Sequence, residues 1–589
     1  MPLTSSFFEF FKYLPKRRQR QSWLLLLLML IGAFAELLSL GAILPFLAIM
    51  ANPAKAFDYP KLQQLFTQLG WNDPQQLLLP VTVLFVAASL LAGAIRLFLA
   101  WVSNKFVFTI GYDVSVAVYE RTLYQPYSFH VSRNTSDILA GINKVQLVVT
   151  GVLVPLMTGI ISLILSVFIL MALLYIDPVT ASAAGVGFTA IYLGVTVSMR
   201  RQLRRNGQII SKAQTARIQC VQEGLGGIRD VLLDGTQPLY LDRFKKVDAP
   251  LRHAQATNTF VGVAPRYLIE AIGMALIAVL AFGLSGKSGG LQSALPVLGA
   301  LALGAQKLMP LMQQAYNGWT RVSGNRAMLL DVLELLRLPV QPQLAKGEPV
   351  AFEREIALRD LGFGYSAQHD LVLKGLNLVI PKGSKVGFIG KTGSGKSTAM
   401  DIVMGLLTAS EGKLCVDDVP ISAHNQQQWQ KHIAHVPQAI YLSDASIAEN
   451  IAFGVHAHEI DPVRLRKAAQ QAQIGQFIEG LPKGYDTDVG ERGVRLSGGQ
   501  RQRIGIARAL YKQVDVLVLD EATSALDSDT ESAVMDCIES LGKDLTVLMI
   551  AHRLSTLKVC DLVVRLEQGR IVAAGSYSDM VADNRWPSR

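Results

Sequence analysis

Val386-Gly387-Phe388-Ile389 runs directly into Gly390-Lys391-Thr392-Gly393-Ser394-Gly395-Lys396-Ser397. An apolar run ending in GxxxxGK[ST] predicts a strand, a tight glycine-rich loop and the start of a helix. Glycines at 390, 393 and 395 let backbone N–H groups curl around phosphate oxygens, and the helix that follows aims its positive end at the same place. Lys396 then reaches the outer phosphates of a bound ATP, the Ser397 hydroxyl holds Mg²⁺, and Thr392, Ser394 and Thr398 line the cradle. The helical character of residues 398–407 supplies the context this motif needs.

Downstream, Val516-Leu517-Val518-Leu519 is an apolar strand that ends in Asp520-Glu521. Acids at the C-terminal end of a buried strand stand where open α/β sheets bind ligands. Asp520 suits Mg²⁺, and Glu521 suits polarisation of an attacking water. These features alone leave many nucleotide hydrolases open.

Leu496-Ser497-Gly498-Gly499-Gln500 narrows the choice. It resembles the signature of the ATP-binding cassette family, and other family elements stand in the expected order. Tyr365 resembles the aromatic that stacks on adenine and Gln438 the loop glutamine, a catalytic and metal-site residue. Ser524-Ala525-Leu526-Asp527 resembles the D-loop, and His552 the switch histidine. Taken singly, Tyr365 reads as a packing aromatic, Gln438 as a loop residue and His552 as an ordinary surface or core histidine; their joint order favours the functional reading. Val489-Gly490-Glu491-Arg492-Gly493 resembles the exporter subclass. The resemblance covers residues 351–580 and implies dimeric work, with Ser497, Gly498, Gly499 and Gln500 closing over nucleotide held by the opposite cassette. It also implies coupling helices near residues 129–138 and 223–230.

The chain of 589 residues is 50% hydrophobic and only 17% charged, but these averages hide a division. Long apolar runs dominate up to about residue 320. Six stretches reach the roughly 20 residues a helix needs to cross hydrocarbon: about 22–50, 77–101, 147–175, 179–199, 257–284 and 291–318. The expected fold is therefore an α-helical membrane domain of six transmembrane helices, residues 1–335, fused to an α/β P-loop ATPase domain, residues 356–589. Residues 336–355, with Pro339, Pro342, Gly347 and Pro349, read as the linker.

The net charge of +10 is distributed as membrane orientation requires, which argues against a nucleic-acid partner. Lys12, Lys16, Arg17, Arg18 and Arg20 precede the first span, and Arg200, Arg201, Arg204 and Arg205 follow the fourth. Both termini and the two long connections are thus expected in the cytoplasm, in a multi-pass protein of a bacterial inner membrane. The four cysteines (Cys220, Cys415, Cys537, Cys560) fall on that reducing side and read as free thiols. Between spans one and two, Leu62, Leu65, Phe66 and Leu69 form one helical stripe after Pro60 and before Gly70. This reads as a helix in the outer membrane interface or as a loop packed on the helix ends.

Charges inside spans are costly and point to substrate. Arg96 lies about 28 Å below the outer start of span two, Lys307 about 24 Å below that of span six, and Arg266 about 9–14 Å above the inner start of span five, at 1.5 Å per residue. Three cations at matching depth suggest a ring for a phosphate or pyrophosphate. The alternative is snorkelling to the cytoplasmic surface with an Arg266–Glu270 pair at i, i+4; Glu36 is a further charge within span one.

The membrane half also resembles the PglK-type flippases, on Glu36-Leu37-Leu38-Ser39-Leu40-Gly41-Ala42-Ile43-Leu44-Pro45, on VQEGLGGIRDVLLD at 221–234, on PRYLIE at 265–270, and on the external helix. That resemblance implies ATP-driven movement of a lipid-linked oligosaccharide, in which basic cavity residues hold the pyrophosphate. Lys307 stands where arginine is expected. The expected assembly is a homodimer in the membrane, and the alternatives are export of lipid A-like lipids, hydrophobic drugs or peptides, or a membrane-anchored regulatory ATPase.

Overall fold

In the computed structural model, the described residues are 3–42, 46, 49–50, 73–176, 178–285, 290–340, 350–365, 370–521, 528–540, 545–551 and 557–582. They divide into two compact units, one of Met1–Gln125 with Arg133–Val340, the other of Gln341–Arg589 with Pro126–Ser132.

The first unit is helical: α1 (Leu3–Tyr13), α2 (Lys16–Gly41), α3 (Leu78–Leu123), α4 (Tyr127–Val131), α5 (Thr135–Val148), α6 (Val154–Ile176), α7 (Pro178–Gly226), α8 (Ile228–Leu233), α9 (Gln237–Ser285), α10 (Gly290–Gly324) and α11 (Arg326–Arg337), α4 being the segment that groups with the other unit. Six of these are long, and among the described residues three stretches, Lys16–Ser39, Gln75–Leu123 and Thr135–Tyr175, are long and apolar enough to cross a membrane.

The connections that read as long loops in the sequence are mostly helix. α3, α7 and α9 run for 46, 49 and 49 residues, roughly 70 Å each at 1.5 Å rise per residue, twice the hydrocarbon thickness. The apolar composition stops at the membrane boundary, but helical propensity does not, so polar turns continue each rod. In chain order, the short α4 follows α3 and the short α8 follows α7.

Close packing relies on small residues. A Cβ on Gly318 of α10 would lie 2.5 Å from the Pro155 carbonyl oxygen of α6, so only glycine permits that approach. A π-helical turn, Val149–Leu153, joins α5 to α6. At the amino end, Glu9 of α1 takes a two-pronged hydrogen bond from Arg337 of α11, 2.7 and 2.8 Å, while Phe10 is buried beneath it.

The second unit carries two sheets. A four-stranded antiparallel sheet has the order β2 (Leu373–Pro381), β1 (Glu355–Phe363), β4 (Glu411–Val416), β5 (Val419–Pro420). A six-stranded sheet has the order β10 (Arg570–Gly575), β9 (Leu562–Glu567), β3 (Lys385–Ile389), β8 (Thr546–Ile550), β7 (Val516–Asp520), β6 (Ile433–Val436). Its strands pair in parallel except β9 with β10. β3, β7 and β8 are buried nearly throughout, which explains their unbroken Val/Ile/Leu runs. Two apolar cores flank this sheet, one beneath the β1–β4 face and one toward the helical layer. Cys220, Cys415 and Cys560 are free thiols.

Candidate functional site

Register brings the nucleotide motifs together. Phe388 of β3 and Asp520 of β7 both pair with Ile550 of β8, so the loop after β3 and the acids after β7 emerge at one edge of the sheet. The loop turns at Gly390, Gly393 and Gly395, with φ of 151°, 83° and 101°. A side chain at Gly395 would also strike Leu373, 2.6 Å away. These angles and this crowding leave only glycine. α12 (Lys396–Val403) starts immediately after.

The loop fits a phosphate. Ser394 Oγ is buried without a hydrogen-bond partner, a costly state that an oxygen-rich ligand relieves. The Lys396 ammonium donates to the carbonyls of Gly390 and Lys391, 2.7 and 3.1 Å. Burial draws its pKa below the usual lysine range, opposed by the charges of Glu521 and Asp520. A cation faced by two acids across a glycine cradle accommodates both an anionic ligand and a companion metal ion.

Glu521 is held from several sides. Gln438 Nε2 donates to its carboxylate at 2.7 Å, Gln502 Nε2 to its carbonyl at 3.2 Å, and its own N–H bonds to Ile550 at 3.1 Å. Its backbone sits at φ 49°, in the left-handed region that a non-glycine residue occupies at about 1–3 kcal/mol. Such strain, held by three hydrogen bonds, fixes where the carboxylate points. Gln502 has no recognisable motif role in the sequence and emerges only from this contact.

Tyr365 is 56% exposed, leaving its ring available. It packs edge-on against Phe363, and its hydroxyl lies 3.2 Å from the Thr398 hydroxyl. Ser397 is exposed beside Lys396. Ser497 caps α13 (Gly498–Lys512), its hydroxyl accepting from the Gln500 N–H at 3.2 Å while the Gln500 side chain returns to the Ser497 N–H at 2.8 Å. The signature is therefore a capping box that presents a helix N-terminus. Asp527 and His552 lie outside the described residues, as do the D-loop neighbours 524–526 and the stripe from Leu62 to Leu69.

Asp401, one turn into α12, has its carboxyl pushed up from 3.8 to about 6, first by burial and then by the charge of Asp520. A raised acid pKa favours folding below the unfolded value and weakens it as pH rises through about 6. Asp401→Asn is accordingly expected to raise the unfolding temperature at pH 7.5 by a few degrees, about 1 kcal/mol after discounting partial exposure. That gain should vanish at pH 4, and an equal gain at both pH values would refute the assignment.

In the helical unit, a cavity of about 660 Å³ opens between α2, α3, α6 and α10. Its apolar walls include Leu99, Met157, Ile161 and Leu165, and its polar groups include Glu36, Arg96, Ser162, Lys307 and Gln314. Lys307 Nζ donates to Glu36 at 2.9 Å, and Arg96 Nη1 lies 3.2 Å from the other Glu36 oxygen. Arg266 does not line this cavity; it bonds Glu270 on its own helix at 2.7 Å. The structure thus brings together two of the three cations and adds Glu36, which the comparison of cation depths had left aside.

A bundle of membrane helices joined to a P-loop ATPase, with one phosphate loop and one signature per chain, defines an ATP-hydrolysing integral membrane transporter. The family descriptions agree: "ABC transporter" matches residues 373–524 and "ABC transporter transmembrane region" residues 23–294. The chain belongs to the ABC transporter family. It is 30% identical over 518 residues to an ATP-dependent lipid A-core flippase of Cupriavidus metallidurans, covering 86% of this chain and 85% of that protein. A protein of the same description from Pseudomonas aeruginosa is 29% identical over 567 residues, 94% and 90% covered. A bacterial Atm1-family ABC exporter with ATP bound shares the fold, with a TM-score of 0.75, 24% identity and 96% of each chain covered.

Proposed function

We propose that the chain is one half of a homodimeric exporter that flips a phosphate-bearing glycolipid to the outer leaflet of a bacterial inner membrane, with both termini cytoplasmic. The observation that carries this reading is the cavity, in which Arg96 and Lys307 share one carboxylate, Glu36, whose side chain is 4% exposed. Two cations against one anion leave a surplus positive charge among apolar walls. A surplus cation in low dielectric favours an anionic headgroup, and the walls favour an acyl or prenyl tail. Relatives described as lipid A-core flippases support a lipid A-like cargo. A lipid-linked oligosaccharide, the cargo the sequence favours first through the stretches 36–45, 221–234 and 265–270 that resemble PglK-type flippases, becomes the second reading. Both cargoes join phosphate to sugar and lipid.

One signature per chain supports the dimer, since each capped α13 then faces the phosphate loop of the other copy. Mg²⁺ would be held by Ser397, Asp520 and Gln438 and would neutralise phosphate charge. Gln438 orients Glu521, and Glu521 accepts the proton of the attacking water.

In proteoliposomes, Arg96→Gln and Lys307→Gln should each cut lipid transport per ATP hydrolysed about ten- to a hundredfold, the worth of a charge-assisted contact of about 1.5–3 kcal/mol. Lys307→Arg should retain transport, because a guanidinium fork still grips phosphate. Wild-type flipping by folded Arg96→Gln and Lys307→Gln would end the proposal. Running lipid A beside a polyprenyl-pyrophosphate-linked oligosaccharide separates the two cargoes.

A further inference from the structure

The carboxylate between the two cavity cations is the feature that the transport reading does not explain. Glu36 is 4% exposed at its side chain, whereas Arg96 and Lys307, which also line the cavity, are 50% and 37% exposed. One Glu36 oxygen accepts a hydrogen bond from Lys307 at 2.9 Å, and the other lies 3.2 Å from Arg96 in an ion pair without hydrogen-bond geometry. A guanidinium carries five donors and an ammonium three, so each cation keeps donors free on the cavity side. A phosphate entering there meets cations that are already half-neutralised.

We infer that Glu36 is a built-in counter-ion with which the phosphate of the cargo competes for Arg96 and Lys307, and that it limits how tightly the headgroup is held. This rests on reading the cavity as the cargo site. Two bare cations in a low-dielectric site would bind a phosphate strongly and release it slowly, because most differences in affinity appear in the off-rate. A carboxylate fixed behind them weakens the grip on every phosphate and reclaims the cations as the headgroup departs. The same carboxylate keeps the cations paired between cargoes, when unpaired charge in a membrane is most costly.

The geometry also sets a selectivity. With a net charge of one, the cluster is balanced by a single negative charge. Removing Glu36 favours headgroups with more charge, so the change should grow from phosphodiester to monophosphate to pyrophosphate. An uncharged glycolipid should feel nothing.

The test uses the full-length dimer in nanodiscs and proteoliposomes with three probes: lipid A, dephosphorylated lipid A, and a polyprenyl-pyrophosphate sugar. Glu36→Gln should bind lipid A about tenfold more tightly, the scale of one charge-assisted contact, and the polyprenyl-pyrophosphate sugar by a larger factor, leave the dephosphorylated probe unchanged, and flip the phosphorylated probes more slowly at saturation. If Glu36→Gln folds poorly, Glu36→Asp serves instead: its shorter side chain draws the carboxylate back from the cations, and a smaller gain of the same sign is expected. Unchanged affinity in Glu36→Gln and Glu36→Asp, with weakened phosphate binding in Arg96→Gln and Lys307→Gln, would overturn the counter-ion role and keep the cargo site. Unchanged binding in all four variants would overturn the cargo site itself. Equal tightening toward the dephosphorylated probe would show that Glu36 acts through cavity shape and not through charge.

Discussion

Glu521→Gln is expected to lower steady-state ATP turnover by at least a hundredfold while nucleotide still binds, because a positioned general base is worth about 10²–10⁴ in rate. The substitution changes almost nothing in shape. A glutamine at this position can keep the strained φ of 49°, the backbone bonds to Ile550 and Gln502 and a side-chain contact with Gln438, with only the basic oxygen removed. Nucleotide then stays bound between cassettes that cannot clear it, so the variant should accumulate as a closed dimer in the presence of ATP. Lys396→Ala provides the contrast. It removes a cation from the cradle, and the dissociation constant for ATP should rise about ten- to a hundredfold. Phosphate release and binding of a fluorescent ATP analogue measure the two effects separately, and wild-type turnover by Glu521→Gln would move the catalytic role to another residue.

The second large effect appears only when two inactive chains are mixed. Ser497→Arg removes the cap of α13, worth about 1 kcal/mol, and sets a long cation where the helix terminus faces phosphate. Homodimers of Ser497→Arg should bind ATP without hydrolysing it, and homodimers of Lys396→Ala should fail at the phosphate loop. In a mixed dimer whose sites form across a two-fold axis, one site carries both defects and the other carries neither. Co-expression at equal levels should therefore restore hydrolysis to at most about a quarter of wild type. If phosphate loop and signature served the same site from one chain, every site in the mixture would carry a defect and activity would stay absent. Hydrolysis by isolated monomers in nanodiscs would contradict the arrangement more directly.

The nucleotide site was largely legible because phosphate recognition is a local problem. Eight consecutive residues make the cradle, and glycine is demanded at Gly390, Gly393 and Gly395 by backbone angles that any reader of the chain can anticipate. The capping box at Ser497 and Gln500 is equally local, at a spacing of three. Gln502 was not legible: its bond to the Glu521 carbonyl depends on how α13 lies against β7, and no spacing reveals that. The cavity divides the same way. Arg266 and Glu270 stand four apart on one helix, so their pair could be anticipated. Glu36, Arg96 and Lys307 come from three helices far apart in the chain, and depth arithmetic aligned the cations without showing that a carboxylate stood between them. The extended rods of α3, α7 and α9 were missed for a different reason: apolar composition marks where a helix leaves the membrane, not where it ends.

The Glu36 knot also bears on how the chain is made. α2 is the first of the long apolar helices to be synthesised and must enter the bilayer carrying the Glu36 carboxylate, a cost of about 3 kcal/mol at mid-membrane that the five consecutive leucines from Leu24 to Leu28 roughly offset. Arg96 arrives with the next membrane helix and Lys307 only with the last. Until both have arrived, the charge of Glu36 is only partly met, and the apolar residues of α2 must carry its cost. In the finished bundle, one acidic residue ties α3 and α10 to α2 at a single level.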